Sequence, residues 1–228
     1  MIIYGKQVSI YALKKHPEKI LKIYLTKKEI LPLELLRKFG DKIKLIENRW
    51  IQKLTNGRNH QGIALEIQEL QMASLKDLKE ENFLIILDGL TDVGNIGSII
   101  RSAYALGADG IIASGVGQLN ISGIVRSSSG ALLDMPFLIK KNPLDLVNEL
   151  KMANFKLYGA SMEGEEIESK KFSKKRVLVL GSEGKGVSKR LKNKLDEVIA
   201  IKMKRDFDSL NVSAAAAIII YRMSHGVE

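Results

Sequence analysis

Residues 83–103 read FLIILDGLTDVGNIGSIIRSA, an apolar run that breaks into a glycine-bearing turn and then into a helical pattern. A strand that is apolar on both faces belongs inside a parallel sheet, because helices packed on either side keep both faces dry. The same grammar recurs in DGIIASG at 109–115, KLYGAS at 156–161, RVLVLGSEG at 176–184 and EVIAIKM at 197–203. Residues 83–228 are therefore expected to form an α/β domain on a parallel sheet. Ligands of such sheets bind beyond the carboxyl ends of the strands, where these glycine turns lie.

Upstream, residues 1–68 read as a smaller α/β unit. An amphipathic stretch VSIYALKKH is followed by a strand at KIYLT, a helix over LPLELLRKFG, a strand at KIKLIE, a helix at RWIQKLTNG and a closing strand GIALEIQ. Residues 69–82, ELQMASLKDLKEEN, are polar and charge-dense and suit a connector or a short surface helix. The 228-residue chain carries a net charge of +10, and residues 1–70 supply +7 of it, with 14 lysines and arginines against 7 acids. Such a bias fits a surface that meets a polyanion, with RNA, DNA and an acidic membrane face all open on charge alone. A merely soluble basic protein explains it equally well.

The chain has no cysteine, which excludes disulfides, thiolate metal sites and cysteine nucleophiles. Its three histidines, His16, His60 and His225, are scattered and make no metal site. The start, MIIYGKQVSIYALKK, lacks the pattern of a secretory leader. The run AAAAIIIY at 214–221 is far short of the roughly 20 residues a bilayer needs. The expectation is a cytoplasmic protein with no membrane partner.

Three segments carry candidate chemistry. In the first, Asn95 stands between Gly94 and Gly97 as the expected cap of a helix, with Arg101 six residues on. Flanked by Ile99-Ile100 and Ser102-Ala103, Arg101 is expected to be partly enclosed, with a protein carboxylate or a substrate phosphate as its partner. In the second, VLVLGSEGKGVS at 177–188, three glycines in six residues follow a buried strand and surround Glu183. The spacing matches neither a phosphate loop nor a dinucleotide fingerprint, and a tight turn and a ligand loop remain even readings. In the third, Ser209, Asn211 and Ser213 mark the start of a helix whose alanines and isoleucines suit close packing in a core or at a subunit interface. A further segment, VRSSSGALLDMPF at 125–137, offers Arg126 and serines including Ser129, which suit an RNA backbone or an ordinary polar helix start.

Taken in order, NIGSIIRSAYALGA, LVLGSEGKGVS and IKMKRDFDSLNVSAAAAI resemble the three motifs of the SpoU (TrmH) family of SPOUT methyltransferases. The front segment, with YGKQVSIYAL and NHQGIALEI, is similar to the ribosomal-protein-like RNA-binding domain of the branch that modifies guanosine in large-subunit ribosomal RNA. The resemblance implies a deep trefoil knot in the methyltransferase domain, S-adenosyl-methionine held in that knot, and a homodimer. It implies 2′-O-methylation of a ribose in structured RNA, a guanosine of 23S rRNA in the first place and transfer RNA as the alternative. The motif positions fall on Asn95, Arg101, Glu183, Ser209 and Asn211 as catalytic residues. Gly181, Gly184, Ile201, Met203 and Leu210 fall on the cofactor side, and Arg58, His60, Arg126 and Ser129 are the candidate RNA contacts. The family assigns the proton-accepting role to the arginine matching Arg101, although a guanidinium keeps its proton in proteins, so stabilisation of the forming alkoxide stays open beside it. Lys202 and Arg205 depart from the proline and small residue the family carries there. The competing readings are a non-catalytic RNA-binding protein of the same fold and an enzyme using another nucleotide cofactor.

Overall fold

The computed structural model describes residues 1–206 and 209–227, and it divides into two compact units. One comprises Met1–Gln71 with Asn120–Leu133, the other Met72–Leu119 with Asp134–Glu228. In the first, β1 (Ile2–Tyr4), β2 (Ile20–Leu25), β3 (Ile43–Leu45) and β4 (Ile63–Ile67) form a sheet of order β1-β4-β2-β3, with α1 (Lys6–Lys15), α2 (Leu33–Lys38) and α3 (Asn48–Leu54) between strands. β4 runs antiparallel to both neighbours, and β2 and β3 are parallel. β4 buries Ile63, Ala64, Leu65 and Ile67, so the short central strand is apolar on both faces. The three-residue β1 has no counterpart among the strands expected from sequence.

The second unit opens with α4 (Leu75–Leu78), a single turn capped by Ser74, whose side chain accepts from the Asp77 N–H. Most of this charge-dense connector lies on the surface, as expected, but Leu78 is only 1% exposed and packs with Leu84 in the core. Next come β5 (Phe83–Asp88), α5 (Val93–Ala105) and β6 (Gly110–Ser114). The following helix, α6 (Ile121–Ser127), belongs with its turn to the first unit, where it contacts β1. The expected contiguous span 83–228 is thus interrupted by a segment that packs elsewhere. β7 (Phe137–Lys140), α7 (Pro143–Met152), β8 (Lys156–Glu166), β9 (Arg176–Gly181), α8 (Lys189–Lys192), β10 (Glu197–Ala200) and α9 (Val212–His225) complete the second unit.

Six strands form one parallel sheet of order β10-β8-β9-β5-β6-β7. Leu84, Ile86, Val177 and Val179 on the strands pack against Leu146, Val147 and Leu150 of α7. Each such fully buried side chain contributes about 1.5–3 kcal/mol relative to exposure. From β5 the chain steps outward through β6 to β7, then returns to build β8, β9 and β10 on the other side. The order reverses between β5 and β9, so the crevice at their carboxyl ends is where a ligand is expected.

β8 is longer than its expected KLYGAS core because it continues along β10 past a register shift at Val198 and Ile199. Gly164 permits this approach: a Cβ there would stand 2.5–2.7 Å from the backbone of Val198 and Ile199. An ion cluster secures the same edge. Burial alone would raise the Glu197 carboxyl, but Lys156 and Lys170 pair with it and hold it below the usual carboxylate range.

Candidate active site

The middle of β8, the loop after β9, and the end of β10 with the loop beyond it line a cavity of about 630 Å³, a volume typical of small-molecule sites. Gly159 and Ser161 to Glu163 come from β8, Gly181 to Gly184 from the β9 loop, and Ile199, Ile201, Met203 and Ser209 to Asn211 from β10 and the loop beyond. The five residues expected on the cofactor side, Gly181, Gly184, Ile201, Met203 and Leu210, all lie on this wall. So do Glu183, Ser209 and Asn211. Phe207 and Asp208 of the third motif lie outside the described residues.

The β9 loop closes tightly on itself. The Gly186 N–H donates to the Ser182 carbonyl at 2.8 Å, and a Cβ on Gly181 would collide with the backbone of Gly186 and Val187. Gly184 and Gly186 adopt φ of 80° and 63°, conformations that side-chain-bearing residues rarely tolerate. The loop is tied down by Asp88, only 5% exposed, whose Oδ2 accepts the Ser188 N–H at 2.7 Å. Sequence reasoning missed Asp88, although an acid ending an otherwise apolar strand was the available signal.

Asn95 does not cap its helix. Asp92 does so, accepting the Asn95 N–H on Oδ1 at 2.7 Å. The cap belongs to the residue whose backbone is still extended, and Asn95 already lies in the first turn. Its side-chain amide is thereby free to donate to Glu183 Oε1 at 3.1 Å, while its carbonyl accepts from Asn211 Nδ2 at 3.0 Å. Asn211 Nδ2 also donates to Glu183 Oε1 at 2.7 Å. Asn211 caps α9, as expected, by accepting from the N–H and Oγ of Ser213 at 2.9 and 2.6 Å. One residue from each of the three sequence segments thus meets the other two, and Glu183 and Asn211 of the three line the cavity.

Arg101 is exposed on α5, not partly enclosed, and it is not among the residues lining the cavity. Its flanking isoleucines point inward, and a helix turns about 100° per residue, so apolar neighbours in sequence do not enclose it. Six residues of helix place it about 9 Å along the axis from Asn95. Lys202, one of the two departures, lies 3.8 Å from Glu166 and joins the loop beyond β10 to the end of β8.

In the first unit, Arg58 Nη1 donates to the Tyr4 hydroxyl at 3.1 Å, and the Arg126 guanidinium lies 5.3 Å from the centre of the Tyr4 ring. His60 is 6% exposed, its Nδ1 accepts the Gly62 N–H at 3.0 Å, and Nε2 lies 3.0 Å from Gln52 Oε1. Nε2 therefore carries the proton, and burial lowers the pKa. This imidazole is committed to its own loop. The serines after Arg126 end a helix and do not begin one: Ser127 and Ser128 donate back to carbonyls within α6, and Ser129 and Gly130 turn the chain at φ of 56° and 96°.

A parallel α/β unit with a glycine-bound cavity at β8, β9 and β10, beside its strand-order reversal and not at it, joined to a basic α/β unit, defines a two-part α/β enzyme. The chain belongs to the SpoU rRNA Methylase family, whose profile matches residues 82–221, and the profile for RNA 2′-O ribose methyltransferase substrate binding matches residues 2–73. It is an RNA 2′-O-ribose methyltransferase. The 23S rRNA (guanosine-2′-O-)-methyltransferase RlmB of Photorhabdus laumondii is 30% identical, the match covering 96% of each chain. The same holds for the Escherichia coli K12 protein of that name, at 30% and 96% of each chain. The fold is shared with the SpoU methyltransferase AviRb of Streptomyces viridochromogenes, solved in complex with AdoMet, at a TM-score of 0.79 and 24% identity over 98% of this chain and 89% of that one. Among the described residues no helix is long and apolar enough to cross a membrane.

Proposed function

We propose that this protein transfers the methyl group of S-adenosyl-methionine to the 2′-hydroxyl of a guanosine in 23S rRNA. The observation that carries the reading is the meeting of Asn95 with Glu183 and Asn211, two residues that line a cavity walled by glycines and apolar side chains. The cavity suits the cofactor: Leu180, Ile199, Ile201 and Leu210 offer apolar contact, and the backbone of the Gly181 loop and of Ile201 and Leu210 offers amides and carbonyls. When bound, the cofactor supplies a methyl group on a sulfonium, which a nucleophile attacks without a metal. Alignment is then the larger task, and the three-residue junction fixes the two loops against α5. Arg101 keeps its proton and stabilises the negative charge growing on the ribose oxygen, while solvent accepts the hydroxyl proton.

The names of the relatives above support guanosine of 23S rRNA as the substrate. Arg58 and Arg126 beside Tyr4 supply cations for RNA phosphates. A homodimer is supported by an exposed stripe on α9, where Ala214, Ile218 and Tyr221 follow helical spacing. The threading of the carboxyl-terminal segments into a trefoil knot and a cytoplasmic location complete the proposal. Tritiated S-adenosyl-methionine incubated with unmodified 23S rRNA is expected to label it and to leave transfer RNA transcripts unlabelled. Label in transfer RNA alone would overturn the substrate, and label in neither RNA would overturn the activity.

A further inference from the structure

Trp50 is the only tryptophan in the chain and it is 50% exposed on α3, the helix whose buried side is anchored by Ile51. Other apolar side chains are exposed too, but this one is a flat ring attended by two cations. The Arg49 guanidinium lies 5.7 Å and the Lys53 ammonium 5.9 Å from its ring centre. Arg49 pairs with Glu47 at 2.9 Å, with both side chains largely exposed, so that pair is easily exchanged for a phosphate. Residues 42–65 hold five basic side chains against the single acid Glu47. An exposed ring among flexible cations is what an unpaired nucleotide requires: the base stacks on the ring while the cations shift to its phosphates. A duplex offers no free base face and meets only the charges.

We propose that Trp50, with Arg49 and Lys53, is a stacking platform for an unpaired RNA base, so that the front unit selects single-stranded RNA elements. This rests on the RNA methyltransferase reading and adds the class of RNA element that the first unit holds. The mode is sequence-tolerant, since every base has a π-face, and it places Trp50 among specificity-setting and not catalytic residues.

The lone tryptophan makes the proposal directly readable. The full-length protein is titrated with a fluorescein-labelled single-stranded RNA of mixed sequence and with the blunt duplex formed by that RNA and its complement. Anisotropy follows binding, and intrinsic emission follows Trp50. The single strand is expected to quench Trp50 saturably, at the concentrations that raise anisotropy, and the duplex to bind without quenching. Trp50→Ala is expected to weaken the single strand about tenfold and to leave duplex affinity unchanged, with Trp50→Phe recovering most of the loss. RNA that binds without altering Trp50 emission, or a Trp50→Ala protein with wild-type single-strand affinity, overturns the platform and leaves the methyltransferase reading intact. No binding of either RNA by anisotropy overturns both.

Discussion

Asn211 performs two tasks, and a pair of substitutions probes them. Its carbonyl caps α9 by accepting from Ser213, and its amide donates to Glu183 at 2.7 Å and to Asn95 at 3.0 Å. Loss of a helix cap costs about 1 kcal/mol. Loss of hydrogen bonds to a charged acceptor costs about 1.5–3 kcal/mol, and the exposure of this junction places the cost at the lower end. Asn211→Ala loses both, so turnover is expected to fall about 10–30-fold and the melting temperature by about 2–4 °C, the shift that ~1 kcal/mol produces in a chain of this size. Asn211→Asp keeps an acceptor for Ser213 and so keeps the cap. It sets a second carboxylate against Glu183, with a repulsion of about 1 kcal/mol in a solvated site. The Asp variant keeps the cap but carries that repulsion, so it should melt below wild type by about the 2–4 °C that ~1 kcal/mol produces and turn over more poorly than the Ala variant. Thermal unfolding and single-turnover methyl transfer on the same preparations measure both. An Asn211→Asp enzyme that turns over better than Asn211→Ala would refute the role given to the amide at Glu183.

Arg101→Ala is expected to reduce methyl transfer about 10²–10³-fold with calorimetric S-adenosyl-methionine affinity unchanged, because the residue lies off the cavity wall; a matching loss of cofactor affinity would contradict this. Asp88→Ala releases the Ser188 N–H and is expected to weaken cofactor binding about tenfold or more, with Asp88→Asn, which retains an acceptor, recovering part of it. Equal affinity in all three proteins would remove Asp88 from the account. The buried His60 has a lowered pKa in the folded state, so below its unfolded value of about 6.5 the unfolded chain binds more protons and stability falls with acidification. His60→Asn keeps an acceptor for the Gly62 N–H and removes the titration, so its stability should stay flatter than wild type as pH falls below about 6.5; parallel pH profiles would exclude His60 as the source.

The parallel sheet was legible because buried strands must be continuously apolar, and the cavity because its glycine turns follow those strands. All five residues expected beside the cofactor line one cavity for that reason. Short elements carried too little periodicity: β1 has three residues and β7 four. The cap on α5 was misread because TDVGN offers three side chains able to cap, and only backbone geometry decides among Thr91, Asp92 and Asn95. SSSG after Arg126 suits either end of a helix, and the left-handed Ser129 and Gly130 make it a stop. The association of Asn120–Leu133 with the first unit is a tertiary fact with no local signal. Deleting residues 1–68 would therefore strip α6 of its packing partner β1 as well as removing charge.

The most direct test of the central claim is the chemical identity of the product. RNA methylated by the purified protein with deuterated S-adenosyl-methionine is digested to nucleosides and resolved by mass spectrometry. The account predicts the heavy methyl group on the ribose of guanosine, as 2′-O-methylguanosine; a heavy methyl group on a base, with none on ribose, would contradict it.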